Sequence, residues 1–227
     1  LKKVYIVDVI DALNSRVTIR AFKPDPVSKE MILQILEAAT RAPSTGNTQP
    51  WELFVAGGEA LDRIRLAYTV NFQHGIPSNS DLPAPQTWPP ALQKRMDESR
   101  AGRFKSMGIE PDDKARRTIF ELAHQFFGAP TVVYLCMDRT LTPWSIFDIG
   151  MLAQSIMLAA QHYDVDSAPA FLFISYPGII RAELEIPKNL SIIMGVALGY
   201  RDPRHPQNQY RSSRRPIREV VHFKDVI

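Results

Sequence analysis

Three stretches of the chain carry residue types that can grip an anion or a polar ring. The first, RVTIRAF at residues 16–22, alternates polar and apolar side chains. In an extended backbone Arg16, Thr18 and Arg20 face one way, and Val17 and Ile19 the other. Two guanidinium forks flanking a hydroxyl match the oxygens of a phosphate; the same pattern also suits a solvated strand edge. The second stretch, RAPSTGNTQPW at 41–51, offers hydroxyls, an amide and free backbone groups to a ring edge or a polyol chain. A helix stop followed by a turn accounts for Pro43, Gly46 and Asn47 equally well, but less well for Gln49 and Trp51. The third is the tail NQYRSSRRPIREVVHF at 208–223, open to reading as a phosphate clamp, a flexible basic terminus or a nucleic-acid contact. Tyr210 is its one tyrosine, with no interleaved stacking pattern, which weighs against nucleic acid.

Other chemistries lack their residues. There is no GxGxxG, no GxxxxGK[ST] and no GxSxG. His74, His124, His162, His205 and His222 stand at no metal-ligand spacing. The lone Cys136 cannot close an intrachain disulfide. Net charge is only +3, yet residues 201–218 hold six arginines against Asp202, a local +5, so the remainder is near −2. A positive tail of that kind calls for an anionic partner. The apolar run at 146–160 contains Asp148, Gln154 and Ser155 and reads as a buried helix, so a cytoplasmic protein without a membrane span is expected.

Around these stretches the periodicities place helices at 7–14, after an N-cap at Ser28 to about 41, at 59–71, over 91–108 and over 111–128 with Pro111 in its first turn, at 143–163 and over 177–186. Strands are expected at 51–56, 129–137, 168–175 and 190–200, with an edge strand at 219–223. The runs at 129–137 and 190–200 are apolar on both faces and should be central. Residues 75–90 hold five prolines and cannot form a regular element. The whole is a layered α+β or α/β arrangement, with 1–227 as a single domain.

SRVTIRAF, AATRAPSTGNTQPW, FFGAPTVVYL, WSIFDIGMLAQSIMLAAQHYDVDSAP and ALGYRDPRHPQNQYRSSRRPIREVV stand in the order of five blocks of one family. The chain resembles the nitroreductase family of FMN-dependent oxidoreductases, within a nitrobenzoate reductase-like branch. The resemblance implies an α+β fold with a central mixed or antiparallel sheet flanked by helices, in an interlocked homodimer. It implies that Arg16, Val17, Thr18 and Arg20 contact the FMN phosphate and ribityl chain, together with Arg211, Ser212 and Arg214 of the tail. Pro43, Ser44, Thr45 and Asn47 would reach the flavin of the other subunit.

Two places depart from the family pattern. Pro169 is followed by Ala170, Phe171 and Leu172, an apolar wall where relatives place a polar residue or glycine beside flavin N5. Ala123, His124 and Gln125 stand where an asparagine is expected, leaving Gln125 as the ring-edge contact. The implied reaction is a ping-pong hydride transfer from NAD(P)H through flavin N5 to a flat nitroaromatic or quinone, with the cofactor and not a side chain carrying the chemistry. Residues 75–107 are the expected lid, with Trp88, Phe104 and Met107 lining the acceptor pocket or simply packing. Reductive dehalogenation or flavin fragmentation on the same scaffold is the alternative, and a non-enzymatic nucleic-acid-binding protein the more distant one.

Overall fold

Strands that are apolar on both faces must be covered on both, and that requirement organises this chain. The computed structural model describes residues 8–110 and 112–226. Strand β1 (Glu52–Gly57), β2 (Thr131–Asp138), β3 (Asp166–Ala170) and β4 (Leu190–Gly199) form one antiparallel sheet in the order β1-β2-β4-β3. Along β2, Val132, Tyr134 and Cys136 point into one core, and Val133, Leu135 and Met137 into the other. Helices α2 (Lys29–Ala39) and α6 (Pro143–His162) cover the second face, α2 through Ile35 and Ala39. Helices α3 (Gly58–Gln73), α5 (Asp113–His124) and α7 (Pro177–Leu184) cover the first, with Leu61, Ile64 and Tyr68 of α3 buried there. Burying each such side chain contributes about 1.5–3 kcal/mol. The fold is α+β.

Helix starts follow local chemistry. Asp8 caps α1 (Val9–Ser15), Ser28 caps α2 by accepting from the Met31 N–H at 3.2 Å, and Asp112 caps α5 by accepting from the Ala115 N–H at 2.7 Å. The positions read as helix starts at Val7 and Pro111 lie outside the described residues. Prolines open α4 (Pro90–Met107), α6 and α7.

Two strands depart from the sequence expectation. The strand expected over 168–175 ends at Ala170 and becomes a tight turn at Phe171–Ile174. A Cβ on Gly195 would lie 2.7 Å from the Phe173 Cβ, so the chain folds down over the bare backbone of β4 to bury Phe173. The edge strand expected at 219–223 is absent, and a short turn at Ile217–Glu219 stands before it. The edge beside β3 is already met by the segment 16–22, where Thr18 bridges Ser167 and the Ile19 N–H donates to the Ser167 carbonyl at 3.1 Å.

The proline-rich loop at 75–90 is tied at its near end. The Ser175 carbonyl accepts from the Asn79 N–H at 3.0 Å and the Ser78 hydroxyl at 3.2 Å. Asp81 accepts from the Ile192 N–H at 2.8 Å, from Arg139 at 2.9 Å and from Arg181. Burial opposes the Asp81 charge, but these hydrogen bonds outweigh it and hold the carboxyl below its usual range. Residues 83–89 and α4 carry the remainder of the excursion.

Candidate active site

The strap at 16–22 is hydrogen-bonded through its backbone, which leaves its polar side chains for other work. The Phe22 N–H donates to the Phe127 carbonyl at 3.1 Å and the Lys23 N–H to the Tyr200 carbonyl at 2.8 Å. Buried Asn208 completes the hold: its Oδ1 accepts from the Arg20 N–H at 2.8 Å, and its Nδ2 donates to the carbonyls of Ala21 at 2.8 Å and Asp202 at 2.9 Å. Ile19 is fully buried and Val17 packs on the core, so Thr18 and Arg20 face outward into a cavity of about 400 Å³.

That cavity has two unlike walls. One is apolar: Phe127, Pro169, Ala170, Phe171 and Leu172, with Ile119, Phe120 and Ala123 from α5. Phe127 is presented by an unusual turn in which Phe126 (φ 55°), Phe127 (φ 54°) and Gly128 (φ 74°) are all left-handed. A bulky residue in that region costs about 1–3 kcal/mol. Burial of Phe126 between Tyr68 and Phe173 offsets the strain, as do hydrogen bonds from Arg65 to the carbonyls of Gln125 at 3.2 Å and Ala129 at 2.8 Å.

The other wall is basic. Met96, Arg100, Arg103 and Phe104 of α4 stand at i, i+4, i+7 and i+8 on one helix face, opposite Arg20, and Arg116 joins from α5. Burial, with Arg103 close by, lowers Arg20 to about 10, although Tyr210 acts in the opposite sense. Burial likewise lowers Arg103, whose Nε is buried without a partner among the described residues. Among the described residues no acid lines this cavity. Arg16 is lowered by burial and then by the charge of Arg214, so the strap and the tail bring positive charge to the same region. Buried like charges such as Arg20 and Arg103 favour a bound anion.

The tail reaches α4 through Tyr210. Its ring lies 2.7 Å from the position a Cβ would take on Gly102, and its hydroxyl is 3.4 Å from that of Ser99. Ser212 and Arg214 line a neighbouring cleft with Lys94 and Arg95, Ser212 accepting from Arg214 at 2.8 Å. Not all the tail is free for a ligand. Arg201 pairs with Asp166 at 2.9 Å, Arg211 donates to the Asn208 carbonyl at 2.7 Å, and Arg215 contacts Glu219 at 3.5 Å. The +5 of the segment is thus partly spent within the chain.

The loop bearing Pro43, Ser44, Thr45 and Asn47 does not line this cavity. Buried Asp148 of α6 accepts from the Thr45 N–H at 3.3 Å, and Trp144 Nε1 donates to the Thr45 hydroxyl at 3.0 Å. The Ser44 hydroxyl accepts from the Gln49 N–H at 3.0 Å. Cys136 is buried, its thiol pushed up to about 12 by that burial, and it offers no nucleophile.

Residues 13–200 match the model of the Nitroreductase family. The chain belongs to that family. Over 94% of its length it is 34% identical to nitrobenzene nitroreductase of Ectopseudomonas oleovorans, of which the match spans 95%. It is 30% identical to 4-nitrobenzoate reductase of Pseudomonas putida, across 96% of both chains. The FMN-dependent nitroreductase NfnB of Mycobacterium smegmatis, solved in complex with NADPH, superposes with a TM-score of 0.88 at 30% identity, over 96% of this chain and 100% of that one. The family and the branch read from the five sequence blocks are borne out.

Within this nitroreductase the expected site residues divide. Thr18, Arg20, Pro169, Ala170, Phe171 and Phe104 share the one cavity. Trp88 lines an adjoining cleft with Arg20 and Arg103, and Met107 another with Phe104. Gln125 ends α5 outside the cavity lining, and Ala123, two residues earlier, lines it instead. Sequence reading overlooked Asn208, Arg100, Arg103 and Phe127. The helical spacing of Met96, Arg100, Arg103 and Phe104 was the signal for two of them; no local signal marks Asn208 or the left-handed phenylalanines.

Proposed function

We propose that the protein is a homodimeric FMN-dependent oxidoreductase that uses NAD(P)H to reduce nitroaromatic compounds. The observation that carries this is one cavity that brings Thr18 and Arg20 of the strap together with the apolar stretch Pro169–Leu172, with no carboxylate among its described lining residues. That donor set fits a planar ring with an anionic end. Arg16, Val17, Thr18, Arg211, Ser212 and Arg214 would hold the phosphate and ribityl portion, with Arg20 nearer the ring. Phe127 and the wall at 169–172 exclude water from the ring face. When bound, FMN supplies the two-electron relay, accepting hydride from NAD(P)H and passing it to the acceptor. For a nitroarene the balance is one hydride and one proton taken up, one water released, and a nitrosoarene and NAD(P)⁺ formed.

The dimer belongs to this reading because the site is incomplete in one chain. The loop with Pro43, Ser44, Thr45 and Asn47 is built rigidly onto the start of α6, next to Trp144 and Phe147, each 69% exposed. Helix α1 packs on α6 and exposes Val9, Ile10 and Leu13. Apolar exposure on that scale marks a protein contact surface, and a second subunit there would receive the loop in its own cofactor cleft. The relatives' names favour nitro reduction over dehalogenation or flavin fragmentation. The internal pairing of Arg201, Arg211 and Arg215 weakens the nucleic-acid reading. A cytoplasmic location is consistent with a single buried thiol.

Purification without added cofactor tests the proposal. The protein should be yellow, release FMN on denaturation and oxidise NADPH only when a nitroarene is supplied. A colourless protein that binds no FMN on titration would sink it.

A further inference from the structure

The loop at 43–49 turns back on itself through three left-handed residues, Gly46 (φ 56°), Asn47 (φ 56°) and Gln49 (φ 47°). Glycine adopts this region freely, but each of the other two costs about 1–3 kcal/mol. The turn brings both the main chain and the side chain of Gln49 onto the polar groups of the loop. We infer that Gln49 is a positioning residue: it fixes the amide of Asn47 so that the two free side chains of the loop, Ser44 and Asn47, offer donors to the flavin ring of the second subunit. This rests on the homodimeric flavoenzyme reading and assigns the polarity of that contact.

Groups that can play one role only fix the orientation. The Asn47 main-chain carbonyl can only accept, so the Gln49 atom 3.4 Å from it is Nε2. The same Nε2 lies 3.3 Å from the Asn47 side chain, which must present Oδ1 to it and turn Nδ2 away. The Gln49 N–H can only donate, and it does so to the Ser44 Oγ at 3.0 Å, which leaves the Ser44 proton for another acceptor. Neither that proton nor the Asn47 Nδ2 has an acceptor among the described residues, and Asn47 is exposed. Thr45 stands outside the set: Trp144 Nε1 donates to its hydroxyl at 3.0 Å, and that hydroxyl lies 3.5 Å from the carboxyl of Asp148. Two neutral donors suit an uncharged carbonyl or ring-nitrogen edge, whereas guanidiniums serve the phosphate. Electron density on that edge rises on reduction, so donors aimed at it favour the reduced ring.

The test is the two-electron midpoint potential of bound FMN in the full-length protein, with FMN affinity measured alongside. Gln49→Met keeps the length of the side chain and removes the donor. It should weaken binding of oxidised FMN about 3-fold and of reduced FMN about 30-fold. The potential should then fall by about 30 mV, since a tenfold ratio is about 30 mV for two electrons. Asn47→Gly removes the amide and adopts a φ of 56° freely; in that background Gln49→Met should leave the potential unchanged. Gln49→Glu, isosteric with the native side chain, supplies the same test should the apolar variant fail to fold. It can only accept, so it should turn the Asn47 amide round and lower the potential further. Its added charge acts in both backgrounds, and only the excess shift seen with Asn47 present supports the positioning role. An equal shift in both backgrounds, or no shift with Asn47 present, overturns that role and leaves the flavoenzyme reading intact. A wild type that binds no FMN overturns both readings.

Discussion

The strap at 16–22 and the loop at 43–49 both carry residues suited to a flavin, yet the fold uses them in opposite ways. In the strap the backbone is tied to Ser167, Phe127, Tyr200 and Asn208, and the polar side chains turn into a cavity of the same chain. In the loop the side chains are themselves engaged: Thr45 with Asp148 and Trp144, Ser44 with Gln49. The loop is a hydrogen-bonded edge beside an exposed apolar surface, whereas the strap lines a cleft. A motif can therefore be complete in the sequence and only half complete in one folded chain.

The largest effect should come from the strap side. Changing Arg16 and Arg214 together to alanine removes two charge-assisted hydrogen bonds to the phosphate, each worth about 1.5–3 kcal/mol. FMN affinity measured by fluorescence titration should fall by about two to four orders of magnitude. Unchanged affinity would remove both residues from the phosphate site and break the strap half of the comparison.

Next in size is Asn208→Ala, which strands the Arg20 N–H and the Ala21 and Asp202 carbonyls. Stability to urea should drop by about 3 kcal/mol, since buried backbone groups lose their partners. Asn208→Asp should be no milder, because a carboxylate oxygen then faces the Ala21 and Asp202 carbonyls that now accept from Nδ2.

Asp148→Ala acts on the loop and should be milder, about 1–2 kcal/mol, through the Thr45 N–H left without an acceptor. Its value lies in a mixing experiment. If the loop serves the second subunit, a heterodimer of Asp148→Ala with the Arg16/Arg214 double variant contains one site whose strap and loop are both intact. It should bind one FMN per dimer with wild-type affinity. If the loop serves its own chain, both sites are impaired and no tight site returns.

What could be read from the sequence follows the range of the interaction. Period-2 alternation in 16–20, the cap at Ser28 and the doubly apolar run of β2 are set by near neighbours, and they stand in the fold as read. The end of β3 was missed because it depends on Gly195, which leaves room for Phe173 from a strand more than twenty residues away. The edge strand at 219–223 does not form, and Thr18, from the other end of the sequence, takes the edge beside Ser167. In the site, Thr18, Arg20 and Pro169 to Phe171 were legible as a motif, but Arg103 was not. Its place in one cavity with Arg20 and Phe171 arises only in the folded chain. Gln125 lies outside the cavity lining, and the left-handed turn at Phe126 and Phe127 presents Phe127 there instead.

The smallest expected effect separates the two regions by pH. His124 is buried at the end of α5, stacked on Phe72 with ring centroids 4.7 Å apart, and its Nδ1 lies 2.7 Å from the Phe120 carbonyl. Burial lowers its pKa below the ordinary 6.5, the Phe120 carbonyl opposing this only in part. The unfolded chain therefore takes up the proton more readily than the folded one. The stability this residue contributes is present above pH 6.5 and is lost as pH falls through the folded-state value. Denaturation midpoints should decline between neutral pH and about pH 5, and His124→Asn should flatten part of that decline. Because α5 supplies Ile119 and Phe120 to the cavity wall, loosening at low pH should release FMN from the strap side first. Hydrogen exchange at low pH should then rise in α5 before it rises at Thr45, which Asp148 holds from the other face of the sheet. Equal loss of protection at both would show that the two regions open as one unit and end the distinction between them.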